Sequence, residues 1–288
     1  MTDVVNLTGG APPRVPDADA LWLVGCGNMA GAMVQGWRMA GIDLRNAVAV
    51  RPSGTQVPDV RTVRSLTEAG PAPGIALLGF KPQKLDEVAP ELASAIDGGT
   101  IILSLLAGAE VATLRTRFPK ARAVVRVMPN IPVAVRRGVL AVHGEELRQE
   151  DRARIAALLM PLGFVVWCDN EAELGTIGAV AGSGPAYVAR FIEALASAGK
   201  AKGLATDLAM TLARETVLGT GWFAATSGEP MDEIVRRVRS PNGTTQAGLE
   251  VLEAELPSLV ERTIAAAGRR SAELAAETRG IDSPITRL

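Results

Sequence analysis

The sequence predicts an α/β protein: an N-terminal Rossmann-type doubly wound sheet followed by an all-helical C-terminal dimerisation domain. Three observations predict it. Short apolar strands alternate with helical patterns as far as Cys168. A G-x-G-x-x-A turn follows the first of those strands. Beyond Asn170, β-branched runs give way to Ala, Leu, Glu and Arg at helical spacing. At 288 residues the chain is comfortable for two domains. We expect them over 19–169 and 170–288, after a loose tail rich in Pro, Gly and Asp over 1–18.

The elements follow in order. Leu21 to Val24 is a buried strand closed by Gly25, and Met29 to Met39 carries helical periodicity up to a stop at Gly41. Further strands are expected at Ala47–Val50, Ile75–Leu78, Thr100–Leu103 and Ala123–Val127, with helices at Leu85–Ile96 and Glu110–Arg117 between them. This alternation argues for a parallel sheet. Between Arg51 and Ser65 the expected crossover helix is replaced by sequence rich in Pro, Gly, Ser and Thr. Gly138–Val142 and Phe164–Trp167 read as two more strands around a helix Glu146–Leu159. Helices are then expected at Pro185–Lys202, Thr206–Ala225, Met231–Arg237, Thr244–Ala254 and Leu256–Thr278. The stretch Asp207–Phe223 has too little polar face for a solvated helix, and burial against a second subunit is its simplest outlet.

Composition excludes several classes. A formal net charge of −1 with intermixed signs offers no basic field for nucleic acid or an anionic membrane. No apolar run approaches the ~20 residues of a membrane span. Cys26 and Cys168 lie far apart, as free thiols of a reducing cytoplasm would. No His, Cys or carboxylate cluster has metal-ligand spacing, and the one histidine, His143, lies away from every motif. The chemistry must therefore come from an organic cofactor.

Gly25-Cys26-Gly27-Asn28-Met29-Ala30 supplies it. The first glycine allows the tight turn, the second lets backbone approach a pyrophosphate, and Ala30 permits close helix–strand packing. After the second strand, where an NAD enzyme places a carboxylate, this chain has Arg51-Pro52-Ser53. A guanidinium and a hydroxyl fit the 2′-phosphate of NADPH, with NADH possible if Arg51 is only a loop cation. Phe80-Lys81-Pro82-Gln83 and Arg126-Val127-Met128-Pro129-Asn130 stand at strand carboxyl ends, where open α/β sheets bind ligands. Lys81 and Pro82 would face the cofactor and Asn130 the nicotinamide carboxamide, though Lys81 could equally be a surface cation and Arg126 a salt-bridge partner.

Two glycine turns open helices in the second domain. In Gly182-Ser183-Gly184-Pro185-Ala186-Tyr187, Pro185 suits a first helical turn, and Ser183 is a cap or a ligand contact. Ser240-Pro241-Asn242-Gly243-Thr244-Thr245 repeats the device with more hydroxyls. Unpaired N–H groups at such turns suit a small carboxylate substrate.

Together these five motifs resemble pyrroline-5-carboxylate reductases, in order along nearly the whole chain. The resemblance implies NAD(P)H-dependent reduction of 1-pyrroline-5-carboxylate to L-proline, the last step of proline biosynthesis. It implies a homodimer or a larger oligomer of dimers with shared active sites. By resemblance, Thr245 is catalytic through a bond to the ring nitrogen, and Ser240, Asn242, Gly243 and Thr244 hold the carboxylate. Ser183 and Tyr187 would line the pocket. Three departures stand in this chain: Arg239, Asn242 and Ile131, where the family usually has Ser or Thr, Gly, and Thr. Arg239 either strengthens carboxylate binding or points to solvent. A β-hydroxyacid dehydrogenase would share the general plan but needs a lysine on its first interdomain helix, and Ile177 to Ala194 holds none.

Overall fold

A computed structural model of the chain describes residues 21–280, so the tail expected over 1–18 lies outside the described residues. They form two compact units, one reaching Gly182 and resuming at Gly268, the other Ser183–Ala267.

The first unit is built on an eight-stranded sheet ordered β3-β2-β1-β4-β5-β6-β7-β8. Its strands are β1 (Leu21–Val24), β2 (Val48–Val50), β3 (Arg61–Val63), β4 (Ile75–Leu78), β5 (Ile101–Ser104), β6 (Ala123–Pro129), β7 (Gly138–Gly144) and β8 (Gly163–Trp167). The helices are α1 (Asn28–Met39), α2 (Leu85–Ala95), α3 (Val111–Arg117), α4 (Gln149–Leu159) and α5 (Glu171–Ile177). Strands β1 and β4 to β6 are apolar at nearly every position because helices cover both faces of the sheet. On one face Met33 and Trp37 of α1 pack with Ile155 and Leu158 of α4. There Trp37, fully buried, donates its indole N–H to Leu158 O at 2.8 Å. On the other face Leu92 of α2 packs with Leu114 of α3 and with Phe118.

The structure corrects the expected sheet in two places. First, β7 runs antiparallel to β6, with Met128 opposite Ala141. The link between them is one turn of 3₁₀ helix, Ile131–Val135, and a parallel return needs a dozen or more residues. Second, β3 is a short strand that periodicity did not show, pairing in parallel with β2 without a crossover helix between them. In that helix's place, Val57 and Val60 form a small bridge and are buried among residues of α1's face. Helix α4 begins at Gln149 rather than Glu146, which sits at φ 51°.

The helices beyond are α6 (Gly184–Ala201), α7 (Thr206–Ser227), α8 (Met231–Val238) and α9 (Thr244–Gly280). Helices α6 and α7 pack on each other through Ala196, Ala209 and Ala213, where small side chains allow close approach. The two helices expected from Thr244 to Thr278 are one, because α9 continues through Pro257. A proline removes one backbone donor, and the strong helix formers on both sides carry the helix past it. Large apolar side chains remain exposed along both long helices, among them Leu218 (65%) and Trp222 (54%) on α7 and Val251 (66%) and Leu259 (52%) on α9. No helix among the described residues is long and apolar enough to cross a membrane.

Candidate active site

The sheet order reverses between β1 and β4, which opens a crevice at their carboxyl ends. A glycine follows each strand there, Gly25 and Gly79. Gly25 lies at φ +77°, and a Cβ on it would stand 2.9 Å from both the backbone N and the Cβ of Phe80. Gly79, which the motif reading passed over, is just as constrained. Its Cβ would stand 2.4 Å from Gly25 O and 3.0 Å from Ala30 Cβ, while its N–H donates to Val24 O at 2.9 Å. The sequence signal was available: a glycine directly after an apolar strand and before Phe80-Lys81-Pro82.

In front of the turn the space is open, since a Cβ on Gly27 would meet only Gly79 O, at 3.8 Å. Gly27 is the N-cap of α1, with no side-chain cap and no acid in the first turn. The N–H groups of Asn28, Met29 and Ala30 thus begin a helix with nothing to satisfy them, a ready anion seat. These residues fit a dinucleotide pyrophosphate. Between the glycines, Cys26 is buried, and burial pushes its thiol above the usual range, partly offset by the Arg51 guanidinium. Lys81 is exposed and Pro82 opens the short 3₁₀ turn that leads into α2. Among the described residues no metal-ligating group of three or more His, Cys, Asp or Glu occurs.

Asn130, expected at the nicotinamide carboxamide, has both ends of its own carboxamide engaged within the protein. Its Oδ1 accepts from Val139 N–H at 2.8 Å and its Nδ2 donates to Ala181 O at 2.9 Å, with the residue only 6% exposed. It ties the end of β6 to β7 and to a turn of π-helix, Gly178–Gly182, that precedes Ser183. Arg126 is the salt-bridge partner: buried on β6, it pairs with Glu171, whose other oxygen accepts from Val111 N–H at 2.8 Å and so caps α3. Glu171 and α5 had no counterpart among the expected elements, because an acid at the head of a short helix looks like any surface residue. Glu171→Ala should leave Arg126 without its counter-charge and cost about 3 kcal/mol. Thermal unfolding checks this; an unchanged Tm would mean that water replaces the carboxylate freely. His143 is also buried, its Nδ1 3.1 Å from Cys168 O, in a structural position.

In the helical unit, Ser183 precedes α6 with φ −85° and ψ −18°, and its hydroxyl makes no capping bond. The helix flows from the π-turn instead of starting at a cap, so the cap reading of Ser183 is set aside. Tyr187 lies one turn further along α6, half-buried. The Ser240–Thr245 turn is closed by Gly243 N–H to Ser240 O at 3.0 Å, and Asn242 adopts φ +56°, a conformation asparagine tolerates. Gln246 Oε1 accepts from Asn242 N–H at 3.0 Å. Arg239 is exposed and pairs with Glu253 of α9. Thr244 and Thr245 begin α9, where first-turn N–H groups lack intrahelical acceptors. No hydrogen bond, ion pair or ring contact joins Ser183 or Tyr187 to the Ser240–Thr245 turn among the described residues.

A family model described as pyrroline-5-carboxylate reductase dimerisation matches residues 171–274. The chain is 34% identical over 260 residues to a pyrroline-5-carboxylate reductase of Pseudomonas aeruginosa, covering 88% of this chain and 95% of the relative. It is 30% identical to the enzyme of that name from Pisum sativum over 91% of this chain and 98% of the other. Among solved structures, a pyrroline-5-carboxylate reductase from Coxiella burnetii superposes with a TM-score of 0.81 at 27% identity, covering 90% of this chain and 99% of that one. A Plasmodium falciparum pyrroline carboxylate reductase with NADP bound shares the fold, at a TM-score of 0.81 and 24% identity over the same shares.

Proposed function

This chain belongs to the pyrroline-5-carboxylate reductase family, and from that premise we propose how its residues divide the work. It is an oxidoreductase that reduces 1-pyrroline-5-carboxylate to L-proline with NAD(P)H, and it assembles as a homo-oligomer through its helical part. Identity that spans 95% of the Pseudomonas relative carries this conclusion.

The sheet unit takes the dinucleotide. The Gly25–Ala30 turn and the first N–H groups of α1 hold the pyrophosphate, and Lys81 and Pro82 border the crevice beside it. Asn130 acts by position: with both ends of its carboxamide engaged, it holds the β6 loop and the π-turn in place. When bound, the dinucleotide supplies a hydride for the imine carbon. The chain must hold the substrate in reach and place a hydrogen-bonding group at its nitrogen, and the imine can arrive already protonated. The helical unit provides those groups. N–H groups at the start of α9 take the carboxylate, and Ser240, Asn242, Gly243 and Thr244 shape that seat. The Thr245 hydroxyl bonds the ring nitrogen. Ser183, whose hydroxyl is free of capping, and Tyr187 line the substrate pocket.

Exposed apolar side chains on α7 and α9 suit burial by a second copy, so we take the oligomer to be built on a homodimer. Its place is the cytoplasm, where two buried thiols, that of Cys168 pushed up to about 11 chiefly by burial, stay reduced. The test is NADPH oxidation with 1-pyrroline-5-carboxylate, set beside 3-hydroxyacids and larger cyclic imines. Turnover confined to the first is expected. Folded protein that binds NADPH and leaves 1-pyrroline-5-carboxylate untouched would refute the assignment.

A further inference from the structure

The register of β2 with β3 sets Val50 beside Val63, and the next residue on each strand is an arginine, Arg51 and Arg64. The register of β1 with β2 sets Val24 beside Val50. Gly25, Arg51 and Arg64 therefore stand in a row along the carboxyl edge of three adjacent strands, leading away from the pyrophosphate turn.

The loop that replaces the crossover helix holds both guanidinium groups in place. Arg51 Nη1 donates to Thr55 O at 3.0 Å, and Gly54 N–H donates back to Arg51 O at 2.8 Å. Gly54 lies at φ +69°, and its missing Cβ makes room for Arg64, whose Nε and Nη2 lie 2.8 and 3.0 Å from where that atom would be. Ser53 and Thr55 share a hydroxyl hydrogen bond of 3.0 Å in the same turn. Other arginines of the unit pair with acids, as Arg38 does with Asp59 and Arg126 with Glu171. Among the described residues no carboxylate pairs with the guanidinium of Arg51 or Arg64. Glu68 is engaged elsewhere, accepting from Ser65 Oγ at 2.9 Å and from the Arg64 backbone N–H at 3.4 Å.

Two positioned, uncompensated guanidinium groups beside hydroxyls make a seat for a doubly charged oxyanion. On a dinucleotide whose pyrophosphate sits at Gly25, the anion that reaches the end of β2 is a phosphate on the adenosine ribose. We propose that Arg64 joins Arg51 as a clamp on the 2′-phosphate and makes this enzyme selective for NADPH over NADH. The loss of the crossover helix is what lets a residue at the end of β3 take part. The proposal rests on the dinucleotide reading of Gly25–Ala30.

Dissociation constants for NADPH and NADH, from fluorescence or calorimetry on wild-type protein, Arg64→Gln and Arg64→Asp, test it. Arg64→Gln should weaken NADPH by at least about tenfold, Arg64→Asp by more, and NADH should bind as before. Adenosine 2′,5′-bisphosphate should compete well with NADPH on the wild type and poorly on Arg64→Gln, whereas 5′-AMP should compete equally on both. Unchanged NADPH affinity in both variants, or parallel losses for the two cofactors, overturns the clamp. Wild-type protein that binds neither cofactor would instead overturn the dinucleotide reading beneath it.

Discussion

Replacing Thr245 with alanine lowers kcat/KM for 1-pyrroline-5-carboxylate by on the order of 10²-fold, the scale of losing one well-placed hydrogen bond to a reacting centre. The NADPH dissociation constant stays at its wild-type value. The separation follows from the architecture: Thr245 lies at the head of α9 in the helical unit, while the groups proposed to hold the dinucleotide lie on α1 and the ends of β1 and β4 in the other unit. Steady-state kinetics with both substrates varied, together with direct NADPH titration, checks it. With the hydroxyl placed at the reacting nitrogen, kcat should fall more than KM rises. Retained kcat with a raised KM would move Thr245 from the reacting nitrogen to the carboxylate seat. A lost NADPH affinity would displace the turn from the substrate altogether.

Gly79→Ala is the second large effect. The added methyl would stand 2.4 Å from Gly25 O, closer than any carbon and oxygen can stay. Its neighbours there, the Gly25 backbone and the Ala30 Cβ, include no flexible side chain to give way, so β4's end and the glycine turn must part. Overpacking of this kind costs about 1–3 kcal/mol. The larger consequence is functional, because the displaced atoms include the Gly25–Ala30 turn itself. NADPH and NADH affinity should both fall by more than about tenfold, in a protein whose melting shows it still folded. This pattern differs from the one expected of Arg64→Gln, a loss for NADPH alone. Wild-type affinity for both cofactors in Gly79→Ala would show that the crevice tolerates a shift of the turn.

Much of the molecule was legible in the chain. Periodicity located seven of the strands to within a few residues, because strands covered by helices on both faces are apolar at nearly every position and hard to mistake. It did not show β3, whose outer residues Arg61 and Thr62 are not buried and which carries no apolar run. Helix α5 was equally silent: Glu171 earns its place only through Arg126 and Val111, which are remote in sequence. The direction of β7 and the continuity of α9 through Pro257 were misread for a common reason. Each depends on what neighbouring segments permit and not on the residues' own preference.

The sequence by itself carried the motifs: a glycine turn that suits a dinucleotide, a hydroxyl-rich turn that suits a small carboxylate, and a single histidine, His143, apart from both. Those features are local, written in residues a few positions apart. Tertiary structure decided which residues meet. It placed Gly79 against Gly25, engaged Asn130 on both sides, paired Arg239 with Glu253 and set Arg64 beside Arg51. Such contacts depend on strand register and close backbone approach. Both are settled only when distant segments pack, and no local pattern in the chain records them.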